Sequence, residues 1–276
     1  MIFLSIDKIT FFITKNQVEF FHNEGYLGIE KLTDPDEVVL LQEIYDDLFN
    51  QQVGRSMGDQ FDLAGTDEDG EIASLPQILN PAKYAPEINR SQLLVNATSV
   101  AKQLLGKDAT CSFAHAILKP ARIGAETPWH QDAAYWDPNL LYKSLSIWVP
   151  LQDVTEENGC MQFAPGSHKT DIFAHQSINN NPRIHGLELT PKEMKNVQNV
   201  ASCPLPAGGA TFHDAYMLHH TPSNRSNTPR RALILDATLS ISPRSKPLSF
   251  PWMEEKQTAR EERAKNAINN SNHGLK

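Results

Sequence analysis

A chain of 276 residues with a net charge of −8 at pH 7 and 40% hydrophobic residues can bury one large core. It carries no basic stripe, which excludes nucleic acid as a partner. Cys111, Cys160 and Cys203 are far apart and form no Cys-x-x-Cys pair, so neither a disulfide framework nor a structural zinc site is indicated.

The opening run MIFLSIDKITFFI is not read as a leader. Asp7 and Lys8 interrupt it, no basic region precedes it and no small-residue cleavage site follows. No other run approaches the roughly 18 apolar residues of a membrane span. A cytoplasmic protein with reduced thiols and no membrane partner is expected.

Asn16 to Glu24 predicts a short helix stopped by Gly25, followed by a strand from Tyr26 to Leu32. Asp34-Pro35-Asp36-Glu37 predicts a helix start, with Asp34 as cap, Pro35 in first position and Glu37 closing a capping box. Residues 51–74 are polar and glycine-bearing, and predict a mobile loop. Asp67 to Gly70 resembles part of a calcium loop, but the register puts Gly65 first and Pro76 twelfth, where a glutamate is needed, so calcium is not expected. A second helix is predicted over about Pro86 to Leu105, ending at Gly106.

From Ala109 onwards the chain reads as short strands and turns. Strands are predicted from Ser112 to Lys119, from Trp129 to Tyr135, and from Lys143 to Leu151. In the last, Leu145, Ile147, Val149 and Leu151 share one face, and Ser144, Ser146 and Trp148 the other. Asn158-Gly159 marks a hairpin turn. Residues 169–202 are irregular and long enough for a lid. Gly208-Gly209 opens a strand from Ala210 to Leu218 that runs on to His219, and Arg230 to Ser240 forms a last one. The pattern predicts a mainly β fold with flanking α: a double-stranded β-helix, the jelly-roll or cupin architecture, behind N-terminal helices. One domain over 1–252, with its core at about 109–241, leaves a charged tail at 253–276, a solvated helix or loose end with no assigned role.

His130 and Asp132 lie two apart on a predicted strand, so both side chains face one side and can reach one ion. A second histidine on a distant strand would complete a two-histidine, one-carboxylate set suited to iron(II). His219 and His220 point to opposite faces, so only one serves without a bend. His213, earlier in the strand, reads as structural or as a neighbour of the ligands. Arg230-Arg231 begins an apolar strand, so one arginine points inward and can clamp the far carboxylate of 2-oxoglutarate through two parallel hydrogen bonds.

These residues sit in a recognisable order. Phe20 to Leu27, Pro128-Trp129-His130-Gln131-Asp132, Trp148-Val149-Pro150-Leu151, Asn158-Gly159-Cys160-Met161, Pro165-Gly166-Ser167-His168, Leu218-His219 and Pro229-Arg230-Arg231-Ala232 follow one another. From Gln17 to about Ser240 the chain resembles the phytanoyl-CoA dioxygenase family of iron(II)- and 2-oxoglutarate-dependent oxygenases. The resemblance implies His130, Asp132 and His219 as metal ligands and Arg230 as the cosubstrate clamp, aided by Thr221 and Trp148. Departures are His220 where glycine is frequent, and Tyr216 and Met217 where small residues are. Asp132 stands where related halogenases have alanine or glycine, which implies hydroxylation. Dioxygen is then the oxidant, with succinate and carbon dioxide released.

Trp129, Gln131, Tyr135, His115 and the 169–202 segment are candidates for contact with a small-molecule substrate. An acyl-CoA would need a basic patch that this acidic chain lacks, so a small metabolite or natural-product intermediate is an equal candidate. Two other readings use the same ligands: a cupin-type metal hydrolase or isomerase, which needs no inward Arg230, and a non-catalytic module that binds metal or 2-oxoglutarate.

Overall fold

The computed structural model describes residues 11–68 and 70–273. Most of the opening apolar run, Asp69 and the last three residues lie outside the described residues. The elements in chain order are α1 (Lys15–Glu24), β1 (Tyr26–Ile29), α2 (Pro35–Asn50), β2 (Gln60–Asp62), β3 (Pro76–Leu79), α3 (Gln92–Leu105), β4 (Thr110–Lys119), β5 (Thr127–His130) and β6 (Leu140–Pro150). Then come β7 (Met161–Phe163), β8 (His175–Ser177), β9 (Leu187–Leu189), β10 (Ala201–Cys203), β11 (Ala210–Asp214), β12 (His219–Thr221), β13 (Arg230–Pro243), α4 (Pro251–Glu254) and α5 (Ala259–His273).

A seven-stranded sheet of order β1-β11-β6-β13-β4-β3-β2 faces a four-stranded sheet of order β10-β7-β12-β5. All pairings are antiparallel. This is the predicted jelly roll, as two facing sheets rather than a closed barrel. The alternation read in β6 decides the layering. Leu145, Ile147, Val149 and Leu151 join Leu233, Leu235 and Phe212 under the helices, against Leu41, Tyr45, Leu93 and Val100. The opposite face of the same strands carries Trp148, Ala232 and Ile234 toward Met161, Phe163 and Met217. The site lies on that inner face.

Several local expectations need correction. Asp34 caps α2 by position but makes no side-chain cap bond. Glu37 does not close a capping box. Its carboxylate accepts the backbone N–H groups of Gln92 (2.6 Å) and Leu93 (2.8 Å) at the start of α3, where a negative charge is favoured by the unpaired donors of a helix N-terminus. Pro86 to Arg90 is a separate 3₁₀ turn, and α3 starts at Gln92 behind Ser91, whose hydroxyl accepts from Leu94.

The strand predicted from Trp129 to Tyr135 stops at His130, and Asp132–Tyr135 is a 3₁₀ turn. The strand predicted from Ala210 to Leu218 breaks at Asp214, whose carboxylate and carbonyl accept from Tyr216 and Met217 to form a turn. The chain thereby leaves the large sheet and enters the small one as β12. The polar 51–74 stretch is more than a loop, since its strand β2 closes one edge of the large sheet. Among the described residues no helix is long and apolar enough to cross a membrane.

Candidate active site

His130 ends β5 and lies directly opposite His219 of β12. Their ring centroids are 4.1 Å apart. Gln131 stays extended (φ −120°, ψ 134°), so Asp132 still emerges on the side of His130 although it already belongs to the turn. One ligand atom from each of His130, Asp132 and His219 can be chosen so that all lie within 4.8 Å of one another, a set that could hold a metal ion.

The hydrogen bonds around the set suit that use. His130 Nδ1 donates to the Pro128 carbonyl (2.7 Å) and His219 Nδ1 to the Met217 carbonyl (2.9 Å), so each ring keeps a free Nε2 lone pair. Burial lowers the pKa of both imidazoles against the pull of Asp132, and His219 falls well below the usual value. Burial alone would raise the Asp132 pKa. His219 and a hydrogen bond from His213 outweigh it and hold the carboxyl well below its ordinary range. Neutral imidazoles and an ionised carboxylate are the forms in which these side chains ligate a metal.

Arg230 is 1% exposed, and its guanidinium lies 5.2 Å over the Trp148 ring. Among the described residues its Nε and Nη1 have no hydrogen-bond partner. Burial pushes its pKa down to about 10, which still leaves it charged at neutral pH. Thr221 Oγ1 donates to Thr127 Oγ1 at 3.0 Å close by. Arg230, Trp148, Thr127 and Thr221 share one cavity of about 250 Å³ with His130, Asp132 and His219.

Tyr135 and His115 also line that cavity. The Tyr135 ring stands edge-on to His130 and its hydroxyl accepts from the Leu187 N–H (2.7 Å). Burial lowers the His115 pKa to about 4, and its Nδ1 has no hydrogen-bond partner among the described residues. Gln131 and Trp129 are placed elsewhere. Gln131 is fully buried, donates to the Tyr216 carbonyl (2.7 Å) and accepts from the Phe173 N–H (2.8 Å). Trp129 stacks on His220 with centroids 5.2 Å apart. A bulge after His219 lets His220 reach the cavity edge as well. His213 touches Asp132 rather than standing with the ligands (3.2 Å).

The sequence profile of the phytanoyl-CoA dioxygenase family matches residues 21–232. The chain belongs to the phytanoyl-CoA dioxygenase family. A probable alpha-ketoglutarate-dependent hypophosphite dioxygenase of Stutzerimonas stutzeri is 26% identical over 224 residues, 77% of this chain and 74% of that protein. An ectoine dioxygenase of Bordetella bronchiseptica is 26% identical over 233 residues, 79% of this chain and 73% of that protein. The crystal structure of EvdO2 from Micromonospora carbonacea var. aurantiaca complexed with 2-oxoglutarate matches with a TM-score of 0.73 at 33% identity, over 88% of this chain and 97% of that one.

This phytanoyl-CoA dioxygenase family member is an iron- and 2-oxoglutarate-dependent dioxygenase. Its own residues fit that pair. Three convergent ligand atoms suit iron(II), and a buried guanidinium with two unpartnered nitrogens suits a carboxylate. Gln77, Thr127, Ser146 and Asp236 line this family member's cavity without having been singled out as site candidates, and His185 brings the 169–202 segment to it, as expected. Ser146 had a signal, since it alternates onto the face of Trp148. His185 is covered only as part of the 169–202 segment, since irregular chain gives no periodicity to single it out. Asp236 had a weak signal, as an acid in an apolar strand. Burial and the nearby Asp132 push its pKa up to about 7.

Proposed function

We propose that His130, Asp132 and His219 hold iron(II), that Arg230 holds the far carboxylate of 2-oxoglutarate beside Trp148 and Thr221, and that the enzyme hydroxylates a small organic substrate. The observation that carries this reading is the unpaired Arg230. Burying a cation without a partner costs several kcal/mol, and this one faces the same cavity as the three ligands. A metal hydrolase with the same ligands would have no use for it.

The metal and cosubstrate together supply oxygen activation and the electrons for it. The chain supplies placement. Pro128 and Met217 carbonyls fix the two imidazole tautomers, Arg230 sets the cosubstrate's orientation, and Ile117, Met161 and Ile234 keep that end of the cavity apolar. Tyr135 and His115 are the proposed substrate contacts. The cavity is near the lower end of ligand pockets, which run from about 300 Å³. It suits a small metabolite or one end of a larger molecule, with the cytoplasm as the site of action.

The test is anaerobic addition of iron(II) and then 2-oxoglutarate. A weak visible charge-transfer band from a chelated 2-oxo acid is expected, absent in His219→Ala and weakened in Arg230→Ala. Iron binding with no such band would sink the assignment.

A further inference from the structure

The two oxygens of Asp132 have different surroundings. Oδ1 faces the histidines, 3.5 Å from His219 Nε2 and 3.7 Å from His130 Nε2. Oδ2 faces away from them and lies 2.6 Å from Ser146 Oγ and 3.2 Å from His213 Nε2. An ionised carboxylate only accepts, so both neighbours donate to Oδ2. Among the described residues Ser146 has one other acceptor in reach, Asp236 Oδ1, but at 3.5 Å that contact is at the limit of a hydrogen bond. The short contact to Asp132 therefore takes the hydroxyl hydrogen.

This arrangement is built into the large sheet. Ser146 of β6 stands opposite His213 of β11 on one side and opposite Asp236 of β13 on the other. Ser146 and His213 are each 2% exposed, so both donors are themselves shielded from water. Neighbouring strands hold the two donors in place, while Asp132 itself sits on a turn that could otherwise swing.

We propose that Ser146 and His213 are positioning residues that keep Asp132 a one-oxygen metal ligand. The inference rests on the iron and 2-oxoglutarate reading given above. An octahedral ion has six positions, and two histidines with one carboxylate oxygen leave three of them open. A cosubstrate that chelates takes two and dioxygen needs the third. A carboxylate free to bind through both oxygens would close one of these. The two donors occupy Oδ2 and prevent that.

The test uses the full chain loaded with cobalt(II), whose visible absorption reports coordination number, and with iron(II) for the 2-oxoglutarate band. In Ser146→Ala and His213→Leu, alone and combined, cobalt still binds. Its spectrum moves toward higher coordination before cosubstrate is added, and 2-oxoglutarate affinity falls about ten-fold, the lower end of losses seen when an outer hydrogen bond to a ligand is removed. Ser146→Thr, which keeps the hydroxyl, retains the original spectrum and affinity. An unchanged cobalt spectrum and unchanged 2-oxoglutarate affinity in the folded single variants overturn the inference. So does loss of cobalt binding in those variants, which would make the pair necessary for the metal itself. If the unmodified protein forms no band with iron(II) and 2-oxoglutarate, the oxygenase reading fails, and this inference with it.

Discussion

Arg230 and Arg231 are adjacent in β13 and have opposite surroundings. Arg231 Nε and Nη2 hold the two oxygens of Asp46 at 2.6 and 2.8 Å on the helix side of the large sheet. Arg230 points into the cavity and leaves two nitrogens unpaired. The strand's alternation makes one arginine structural and frees the other for a ligand.

Replacing Arg230 should therefore separate binding from stability. Arg230→Met removes an unpaired buried charge while keeping much of its volume. The metal-free variant should be at least as heat-stable as the parent. Its 2-oxoglutarate affinity should fall about 100-fold, the value of roughly 3 kcal/mol for a lost buried ionic bond. Thermal unfolding with and without 2-oxoglutarate reads both effects: cosubstrate raises the parent's Tm and leaves the variant's unchanged. A variant still stabilised by 2-oxoglutarate would place the clamp elsewhere.

His219 and His220 should differ as sharply as the arginines. His219 Nε2 faces Asp132, whereas His220 lies flat on Trp129. His219→Ala should bind less than a tenth of the parent's iron under equal conditions. His220→Ala should keep its iron and lose on the order of 1 kcal/mol from the broken ring stack. Iron content after desalting and a denaturant titration decide the matter, and equal iron loss in both would contradict the ligand assignment.

Acid should destabilise the metal-free protein. Burial lowers the pKa of His115 and His220 to about 4 and of His175 to about 3. Below the unfolded value near 6.5, the unfolded chain takes up three protons that the folded chain refuses, so stability drops as pH falls. Asp236 acts in the opposite sense. Its folded value of about 7 exceeds the unfolded 3.8, so it contributes stability at low pH that is lost as pH rises through 7. Burial also lowers His130, His185 and His219, so the histidines outnumber the one carboxyl and the balance of protons favours the unfolded state. Denaturant midpoints should fall between pH 6.5 and 5, and a rise over that range would refute the account.

The C-terminal segment should matter to stability although its charge pattern suggested a solvated tail. Lys256 Nζ donates to the His185 carbonyl, Arg260 Nε to the Gly58 carbonyl (2.9 Å), and Arg263 pairs with Asp67. Trp252 Nε1 donates to the Ala134 carbonyl (2.9 Å). Ending the chain at Phe250 should cost about 3–4 kcal/mol, at roughly 1 kcal/mol per bond, or about 6–16 °C in Tm. Hydrogen exchange should quicken at residues 182–187 and 132–136, which these bonds pin. Unchanged exchange there would show that the segment merely lies alongside.

Local chemistry decided which residues could act. The two-residue spacing of His130 and Asp132, the alternation that put Ser146 and Trp148 on one face of β6, and the charged pair at the start of β13 are properties of neighbouring residues, and a strand's two-fold period makes them legible in the sequence. Tertiary structure decided what those residues meet. Nothing local shows that β11 ends at Asp214 so that His219 crosses to the small sheet and lands opposite His130, or that Glu37 caps α3 instead of its own helix. Nor could spacing show that Arg231 pairs with Asp46 while Arg230 meets only the Trp148 ring, or that Gln131 is drawn into holding Phe173 and Tyr216. Each of these depends on contacts between segments far apart in the chain. A side chain's partners there are set by which sheet faces pack together, whereas its own direction is set by the backbone that carries it.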